Sequence, residues 1–493
     1  MILHNGPIYT MDPRLPQVRA LAVSGTVIAG GVDVREGESD AVGHERIDLE
    51  GRCVLPGFTD AHVHFLDWAL ERTWLDLHDC RSLAECCAAV AAAPAGDGWL
   101  RGKGWLEATW PDGPPSLDAL DRVTGDRPAA LWAHDHHTLW VNSAALRARD
   151  ADHPTGVLQE WDAWRFPLPE PTPLECSQAL RDGMAAANAR GVIGVHDFQA
   201  RGGRGLWQRF DADRRLTLRV AMSIPLDALP AASAIELRGG FGSELLSVGP
   251  VKAFMDGTLG SGTAWMLDGS GEQLLSEDDL VAGIGEAAAG GLGLAVHAIG
   301  DGANRAALNA FERTRERWEQ ALLRPRIEHA QCLDDADLPR FAGIGVIASV
   351  QPVHATSDRD VADRLWGERA AKGYRTRDLL DSGAHVVFGA DPPIEDLDPM
   401  AAIQAAVHRT VDDREPWHPK QRIPVADAIS CHTAAAAYAL GEERQRGCLL
   451  PGLDADLVVL DTDIVAQPER IHEARVVATM LRGRWVHGRP PWE

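Results

Sequence analysis

The chain has 493 residues, of which 45% are hydrophobic and 24% are charged. This length exceeds that of one ordinary core and favours a large α/β domain with a small accessory domain. The formal net charge of -24 excludes nucleic acid and anionic membranes as expected partners. No apolar run approaches the about 20 residues of a membrane span, and the first residues lack a signal-peptide layout, so a cytoplasmic location is expected.

Short alternating apolar runs occupy both ends of the chain. They lie at 20–23, 27–29 and 46–50, and again at 455–461 and 476–486, where Gly483 is expected to bend the last strand. This alternation predicts small antiparallel strands. We therefore expect a small β-sandwich made of 1–54 and 431–493, the latter including the last helix, with a larger domain inserted between them.

Between these ends, short apolar strands alternate with helical stretches, a pattern typical of parallel strands joined by crossover helices. Helices are predicted at 277–289, where Ser276 and Asp279 form a capping box, at 302–319 and at 399–410. Strands are predicted at 55–62, 192–198, 217–224, 249–255, 292–298, 325–330, 344–350 and 385–390. The predicted fold class is α/β, with a (β/α)8 TIM-like barrel over 55–430.

The segment of about 66–170 is too long for one crossover and holds nine tryptophans. It is predicted to be an inserted lid subdomain. Trp105, Trp110, Trp132 and Trp140 are among these tryptophans. Tryptophan density mostly reflects packing, so a core role is favoured for this set over a role facing substrate.

Two histidines one residue apart end the first predicted barrel strand. Side chains alternate across a strand, so His62 and His64 project to the same side, where two imidazoles can hold one cation. A bare His-x-His is more often part of a half-buried strand whose histidines find hydrogen-bond partners. Its interpretation therefore depends on the ends of the later strands.

Polar residues recur at those later ends, which meet on one face of a barrel. The residues are Lys252, His297, His329 and Asp391. Imidazole and carboxylate suit Zn²⁺ or another borderline divalent cation. The lysine fits if, once deprotonated, it takes up CO₂ to give an anionic carbamate ligand; alternatively, it pairs with Asp256 or faces solvent.

Five stretches resemble the metal-dependent amidohydrolase superfamily, and in particular its branch containing the N-substituted formamide deformylases (amidohydrolase family 3). They are PGFTDAHVH (56–64), VKAFMDGTLGSGTA (251–264), HAIGD (297–301), RIEHAQ (326–331) and GAD (389–391), and similar stretches at 135–145 and 447–459 extend the likeness over nearly the whole chain. The chain departs from that branch at Gly262, where many relatives carry arginine, and at Pro392-Pro393 after Asp391.

The resemblance implies two divalent ions, expected to be Zn²⁺. It places one ion on His62, His64 and Asp391 and the second on His297 and His329, with carboxylated Lys252 bridging them. Two neighbouring cations can lower the pKa of a bridging water toward neutrality and polarise a carbonyl. The predicted function is hydrolysis of carbon–nitrogen bonds in non-peptide, small-molecule amides by a metal-activated hydroxide, with hydrophobic N-substituted amides or formamides as candidate substrates.

Asp391 is expected both to bind metal and to accept the proton of the attacking water. His137 is the candidate for stabilising the oxyanion, Asn142 for orienting the lid and His354 for touching substrate. His196-Asp197 could support a ligand or simply cap a strand end.

Three alternatives stay open at this point. A mononuclear deaminase or an N-acyl-amino-acid hydrolase would need fewer ligands on the same barrel, whereas a non-catalytic scaffold is disfavoured because all six ligand positions are filled.

The eight scattered cysteines show no zinc-ribbon spacing and are expected to be reduced thiols. A homodimer is the default expectation for a soluble enzyme.

Overall fold

The computed structural model describes residues 1–31, 45–94, 96, 98–106, 110–133, 138–159, 161–199 and 202–492. These residues form two compact units, one of 1–65 with 182–493 and the other of 66–181. Strands and helices are numbered in chain order below. Within the described part of the chain, no helix has the length and apolar character needed to cross a membrane.

A nearly closed barrel of eight parallel strands forms the centre of the first unit. The strands are β6 (Phe58–Val63), β12 (Val192–Asp197), β13 (Arg219–Pro225), β14 (Leu246–Phe254), β15 (Leu294–Ala298), β16 (Arg326–His329), β17 (Ile347–Val350) and β18 (Val386–Phe388), paired in this order. Each overlaps a predicted strand, which confirms the α/β barrel. The strands are almost entirely buried because helices cover a parallel sheet on the outside while side chains fill its interior.

Hydrogen bonds just beyond β18 join the two ends of the barrel sheet. The N–H of Asp391 donates to the carbonyl of His62 at 2.9 Å, and the N–H of His64 donates to the carbonyl of Pro392, also at 2.9 Å. These bonds hold the loop after the eighth barrel strand against the end of the first. Three of the predicted ligand positions, His62, His64 and Asp391, are therefore fixed by the closure of the barrel itself.

The helices are α1 (Phe65–Glu71), α2 (Leu83–Ala92), α3 (Leu117–Thr124), α4 (Ser143–Ala148), α5 (Trp161–Arg165), α6 (Pro173–Asn188), α7 (Arg204–Ala212), α8 (Leu229–Ala234), α9 (Glu277–Ala289), α10 (Asp301–Arg313), α11 (Arg315–Gln320), α12 (Leu338–Ile344), α13 (His354–Ser357), α14 (Arg359–Trp366), α15 (Thr376–Asp381), α16 (Pro399–His408), α17 (Val425–His432) and α18 (Ala434–Ala439). The predicted capping box of α9 is present: Ser276 Oγ accepts from the N–H of Asp279 at 3.1 Å and donates to its carboxylate at 2.6 Å.

Three sequence-based element boundaries were wrong. The predicted strand 55–62 divides at Gly57 into the end of a separate strand, Cys53–Pro56, and the barrel strand β6. The predicted helix 302–319 is interrupted at Thr314, whose hydroxyl donates back to the carbonyl of Ala310. The predicted strand 344–350 begins only at Ile347, because α12 ends at Ile344 and the left-handed Gly345 reverses the chain.

Both ends of the chain contribute to a separate eight-stranded sheet, as expected. It contains β1 (Ile2–Tyr9), β2 (Gln17–Ser24), β3 (Val27–Gly31), β4 (Arg46–Asp48), β5 (Cys53–Pro56), β19 (Leu457–Leu460), β20 (Val476–Leu481) and β21 (Arg484–His487). The predicted single bent strand at 476–486 is instead a hairpin. Arg482 and Gly483 both have positive φ, 48° and 73°, which is the backbone of a tight two-residue hairpin loop.

The second unit, 66–181, has its own sheet and core. The sheet consists of β7 (Leu75–Asp76), β8 (Leu100–Trp105), β9 (Ala129–Ala133), β10 (Thr138–Val141) and β11 (Val157–Gln159). Trp105, Trp110 and Trp140 are buried in one cluster, with ring centroids 5.8 to 6.3 Å apart. Each indole N–H donates to a backbone carbonyl, so these rings are core residues with satisfied polar atoms.

Replacing Trp140 with alanine is expected to lower the free energy of unfolding of this unit by about 3–5 kcal/mol, because a fully buried ring leaves a cavity. Hydrogen exchange of 66–181, read by mass spectrometry, measures the effect. Leu174→Ala is the control, since Leu174 is 77% exposed in the same unit. Equal protection of the two variants would contradict a core role for Trp140.

Candidate metal centre

The six predicted ligand residues gather at one end of the barrel. His62 lies on β6 and His64 directly after it; Lys252 lies on β14, His297 on β15, His329 at the end of β16, and Asp391 follows β18. All lie toward the C-terminal ends of their strands, where a barrel presents its functional groups. All except His64 are at most 8% exposed.

His62, His64 and Asp391 form the first group that could hold a cation. Oδ1 of Asp391 lies 3.5 Å from Nε2 of His62 and 3.5 Å from Nε2 of His64, and the possible ligand atoms of the three residues lie within 4.8 Å of one another. Nδ1 of His62 is 2.6 Å from Oε2 of Glu328, which leaves Nε2 directed at Asp391. A histidine held in this way by a carboxylate is the usual arrangement of a metal-binding imidazole.

A buried polar network holds Glu328, the carboxylate that contacts Nδ1 of His62. The guanidinium of Arg326 donates to both oxygens of Glu328, to the carbonyl of Ala61 at 2.6 Å and to Oγ of Ser349 at 2.8 Å. Burial raises the pKa of Glu328, but Arg326, His62 and Lys252 together outweigh it, so that pKa lies well below its usual value. The carboxylate therefore stays ionised and orients the ring of His62.

Lys252 is buried between aromatic rings. Its Nζ lies 4.7 Å from the ring centre of Phe198, 5.0 Å from that of Phe254 and 3.5 Å from Nε2 of His62. Burial lowers the pKa of its amine from 10.5 to about 8. The alternative that Lys252 faces solvent is therefore wrong, and the carboxylate of Asp256 instead accepts N–H groups from the backbone.

His297 and His329 lie side by side on neighbouring strands, with ring centroids 4.5 Å apart. Nε2 of His297 lies 3.0 Å from the carbonyl of Gly257, so Nδ1 is its remaining nitrogen. Nδ1 of His329 lies 2.9 Å from Oε1 of Gln351, so Nε2 is its remaining nitrogen. Each ring is thus fixed by a hydrogen bond at one nitrogen and has the other left for a ligand.

Burial keeps these imidazoles neutral, which is the form that binds metal. It lowers the pKa of His62 to about 4 and that of His297 to about 3, and it lowers the pKa of His329 well below the ordinary value of 6.5. The charge of Lys252 adds to each of these shifts, whereas that of Asp391 opposes them. A cluster of neutral imidazoles around a carboxylate is a donor set that fits a borderline divalent cation.

The backbone at the site is held in unusual conformations. His329 and Asp391 have φ of 73° and 59°, a left-handed conformation that costs a non-glycine residue about 1–3 kcal/mol. Asp60 fixes this region, because its carboxylate accepts the N–H groups of His62 and Ala390 at 3.0 to 3.1 Å. Position 389 requires glycine, because the Cβ of any other residue there would lie 2.6 Å from the backbone nitrogen of His62.

A sequence profile described as the Amidohydrolase family matches residues 45–487. The chain belongs to this family. Protein LONG AFTER FAR-RED 3 of Arabidopsis thaliana is 30% identical to it, over 99% of this chain and 91% of that protein. N-substituted formamide deformylase of Arthrobacter pascens is 26% identical, over 98% of this chain and 97% of that protein.

A solved structure of similar fold is that of an uncharacterized metal-dependent hydrolase from Pyrococcus horikoshii OT3. It is 26% identical, with a TM-score of 0.80 over 94% of this chain and 98% of that one. Family and fold together confirm the predicted superfamily and identify this amidohydrolase as a metal-dependent hydrolase.

The contacts of three secondary candidates of the amidohydrolase, Asn142, His196 and Asp197, can be described. Asn142 is the buried N-cap of α4, and its amide bonds residues around β9 within the second unit. Asp197 accepts N–H groups from Phe65 and Trp207, so it caps the strand end, whereas Nδ1 of its neighbour His196 lies 2.8 Å from Arg326. His137 lies outside the described residues and remains a prediction.

Sequence reasoning missed the residues that orient the ligands: Arg326, Glu328, Gln351 and Asp60. One signal was available in the sequence. Arg326 and Glu328 are two charged residues in a short buried strand, and their spacing of two places them on the same face of it. Charges enclosed in a barrel must be paired. The histidine partner of Glu328, His62, could not be inferred locally because it lies 266 residues away in the chain.

Replacing Glu328 with glutamine is expected to weaken metal binding about 10- to 100-fold and to lower the free energy of unfolding by about 3–5 kcal/mol. The change keeps the shape but leaves the Arg326 guanidinium without its buried carboxylate. Metal affinity and thermal unfolding measure the two effects. Glu319→Gln, at an exposed pair with Arg315, is the control. Unchanged affinity and stability would contradict the orienting role.

Proposed function

We propose that this amidohydrolase cleaves the carbon–nitrogen bond of non-peptide amides at a centre of two divalent ions, expected to be Zn²⁺. The observation that supports it most strongly is the position of Asp391, whose Oδ1 lies 3.5 Å from Nε2 of both His62 and His64. Those three residues would hold one ion. His297 and His329 would hold the second, with Lys252 between the two groups.

Lys252 would bridge the ions as a carbamate. A fraction of its amine is neutral near neutral pH because burial lowers its pKa to about 8. The neutral nitrogen attacks CO₂, an N–C bond forms as one C–O π bond opens, and the nitrogen releases one proton to solvent. Relative to the ammonium form, an anionic group with two oxygen ligands has then replaced a cation. Burial favours the loss of the ammonium charge, and it outweighs the attraction of that charge to the rings of Phe198 and Phe254.

Bound divalent ions would lower the pKa of a water and polarise the amide carbonyl. Asp391 then accepts the proton that the attacking water loses and returns it to the departing nitrogen, which leaves as an amine. Its backbone N–H bond to His62 and the bond of Ala390 to Asp60 keep the carboxylate in place for both transfers.

The described residues around the centre favour an apolar substrate. Phe254 is 47% exposed at the end of β14, with its ring centre 5.2 Å from that of His297, so it presents an aromatic face beside the ligands. The similar Arthrobacter protein is named for its action on N-substituted formamides. We infer that hydrophobic N-substituted amides or formamides are the substrate class.

A screen of metal-loaded protein against aryl and alkyl formamides, longer N-acyl amines, N-acyl amino acids and heterocyclic amines tests the proposal. Released amine, carboxylate and ammonia are quantified separately. We expect equal amounts of amine and carboxylate from the first two classes, and Phe254→Ala should raise KM for large N-substituents more than for small ones. Ammonia released without acyl cleavage would instead indicate a deaminase, and turnover confined to N-acyl amino acids would indicate the other alternative.

A further inference from the structure

We propose that His354 is a further ligand of the second metal ion, in addition to the residues assigned above. It is the first residue of α13, just after β17, and only 5% of it is exposed. The inference rests on the proposed two-ion centre. It concerns which residues of this chain complete that centre.

A second group of possible ligand atoms lies beside the first one. It consists of His329, His354 and Asp391, whose ligand atoms lie within 4.8 Å of one another. Asp391 belongs to both groups, so its carboxylate could contact a cation held by either one. His354 shares the second group with His329, and that group does not include His62 or His64.

The free nitrogen of His354 is an independent indication. Nδ1 lies 3.4 Å from the side-chain amide of Gln331, whereas Nε2 is buried and has no hydrogen-bond partner among the described residues. A buried imidazole nitrogen without a partner is costly unless a ligand satisfies it. A divalent cation held with His329 and Asp391 would do so.

His354 is also held in the same way as His329. Gln351, after β17, fixes Nδ1 of His329 on β16, and Gln331, after β16, fixes Nδ1 of His354 after β17. Each of the two neighbouring strands is thus followed by a glutamine whose amide contacts the histidine of the other. Among the described residues, no hydrogen bond occupies Nε2 of either imidazole. Fixing one nitrogen so that the other meets the ion is how proteins orient metal-binding histidines.

His354→Asn tests the inference, because asparagine keeps a polar atom near the position of Nδ1 and removes Nε2. The full-length protein is stripped with a chelator and titrated with Zn²⁺ by calorimetry, and the Co²⁺-loaded form is read by its visible absorption. We expect the first Zn²⁺ to bind as in the unchanged protein, the second to bind about 100-fold more weakly, and the Co²⁺ bands to change.

His418→Asn is the control, because Nε2 of His418 is also buried and has no hydrogen-bond partner in the described part of the chain. Its ring packs on Trp417, outside both groups. His354→Gln gives a second variant should the first fold poorly, as judged by its melting temperature without metal. Unchanged second-ion affinity and Co²⁺ bands would overturn the inference, including the case in which only kcat/KM falls and His354 contacts substrate. One Zn²⁺ in the unchanged protein would instead contradict the two-ion centre.

Discussion

Replacing Lys252 with alanine is expected to lower kcat about 10³-fold and to leave at most one tightly bound metal ion per chain. The carbamate would add an anionic group to Asp391 between the two sets of histidines. A metal acting as a Lewis acid contributes several kcal/mol, and each 1.36 kcal/mol is worth tenfold in rate. Metal content and turnover of the same preparation measure both effects.

Two further measurements separate a ligand role of Lys252 from a packing role. Added acetate should restore part of the activity of Lys252→Ala, because it can supply carboxylate oxygens in the space that the side chain leaves. Lys252→Met, which keeps the apolar stem against Phe198 and Phe254, should be as inactive as the alanine variant. Lys420→Ala, at an exposed position, is the control. Full activity of Lys252→Met would exclude a bridging role.

Asp391→Asn is expected to reduce kcat by about 10³-fold or more, because it removes both the proton acceptor and a charged ligand. Asparagine tolerates the left-handed backbone of this position, where φ is 59°, so the fold should persist. Turnover, metal content and melting temperature are measured together.

The control for this variant is Asp381→Asn, whose carboxylate pairs with Arg377 in an exposed i,i+4 bridge. It should leave turnover unchanged. An Asp391→Asn protein with normal turnover would show that another group accepts the proton. A variant that has lost turnover but keeps two tightly bound ions would separate proton transfer from metal binding and limit Asp391 to the first role.

The barrel could be predicted because its information is local. Parallel strands buried on both faces have nearly continuous apolar sequences, and each predicted strand overlaps an observed one. Candidate ligands could be selected for a related reason, since the barrel brings together the ends of strands that are far apart in sequence. His62 and Asp391 thus become neighbours across 329 residues, the length from 62 to 391.

The errors and omissions concern turns and long-range side-chain contacts, neither of which the apolar periodicity of the sequence encodes. At Gly483 the apolar alternation continues through the turn, so only the positive φ of Arg482 and Gly483 distinguishes a hairpin from a bend. The orienting contacts of Glu328 and Gln351 depend on which side chains face each other across the barrel, which periodicity does not encode. The partners of His354 became visible only in three dimensions.

Native mass spectrometry of the intact protein, purified without chelator, tests the two-ion centre most directly. We predict a mass equal to that of the chain plus two zinc ions and one CO₂, with the CO₂ located on Lys252 by fragmentation. The Lys252→Ala variant should lack the CO₂ and at least one ion. A chain that carries one ion or none, and no CO₂, while remaining folded and active would contradict the account.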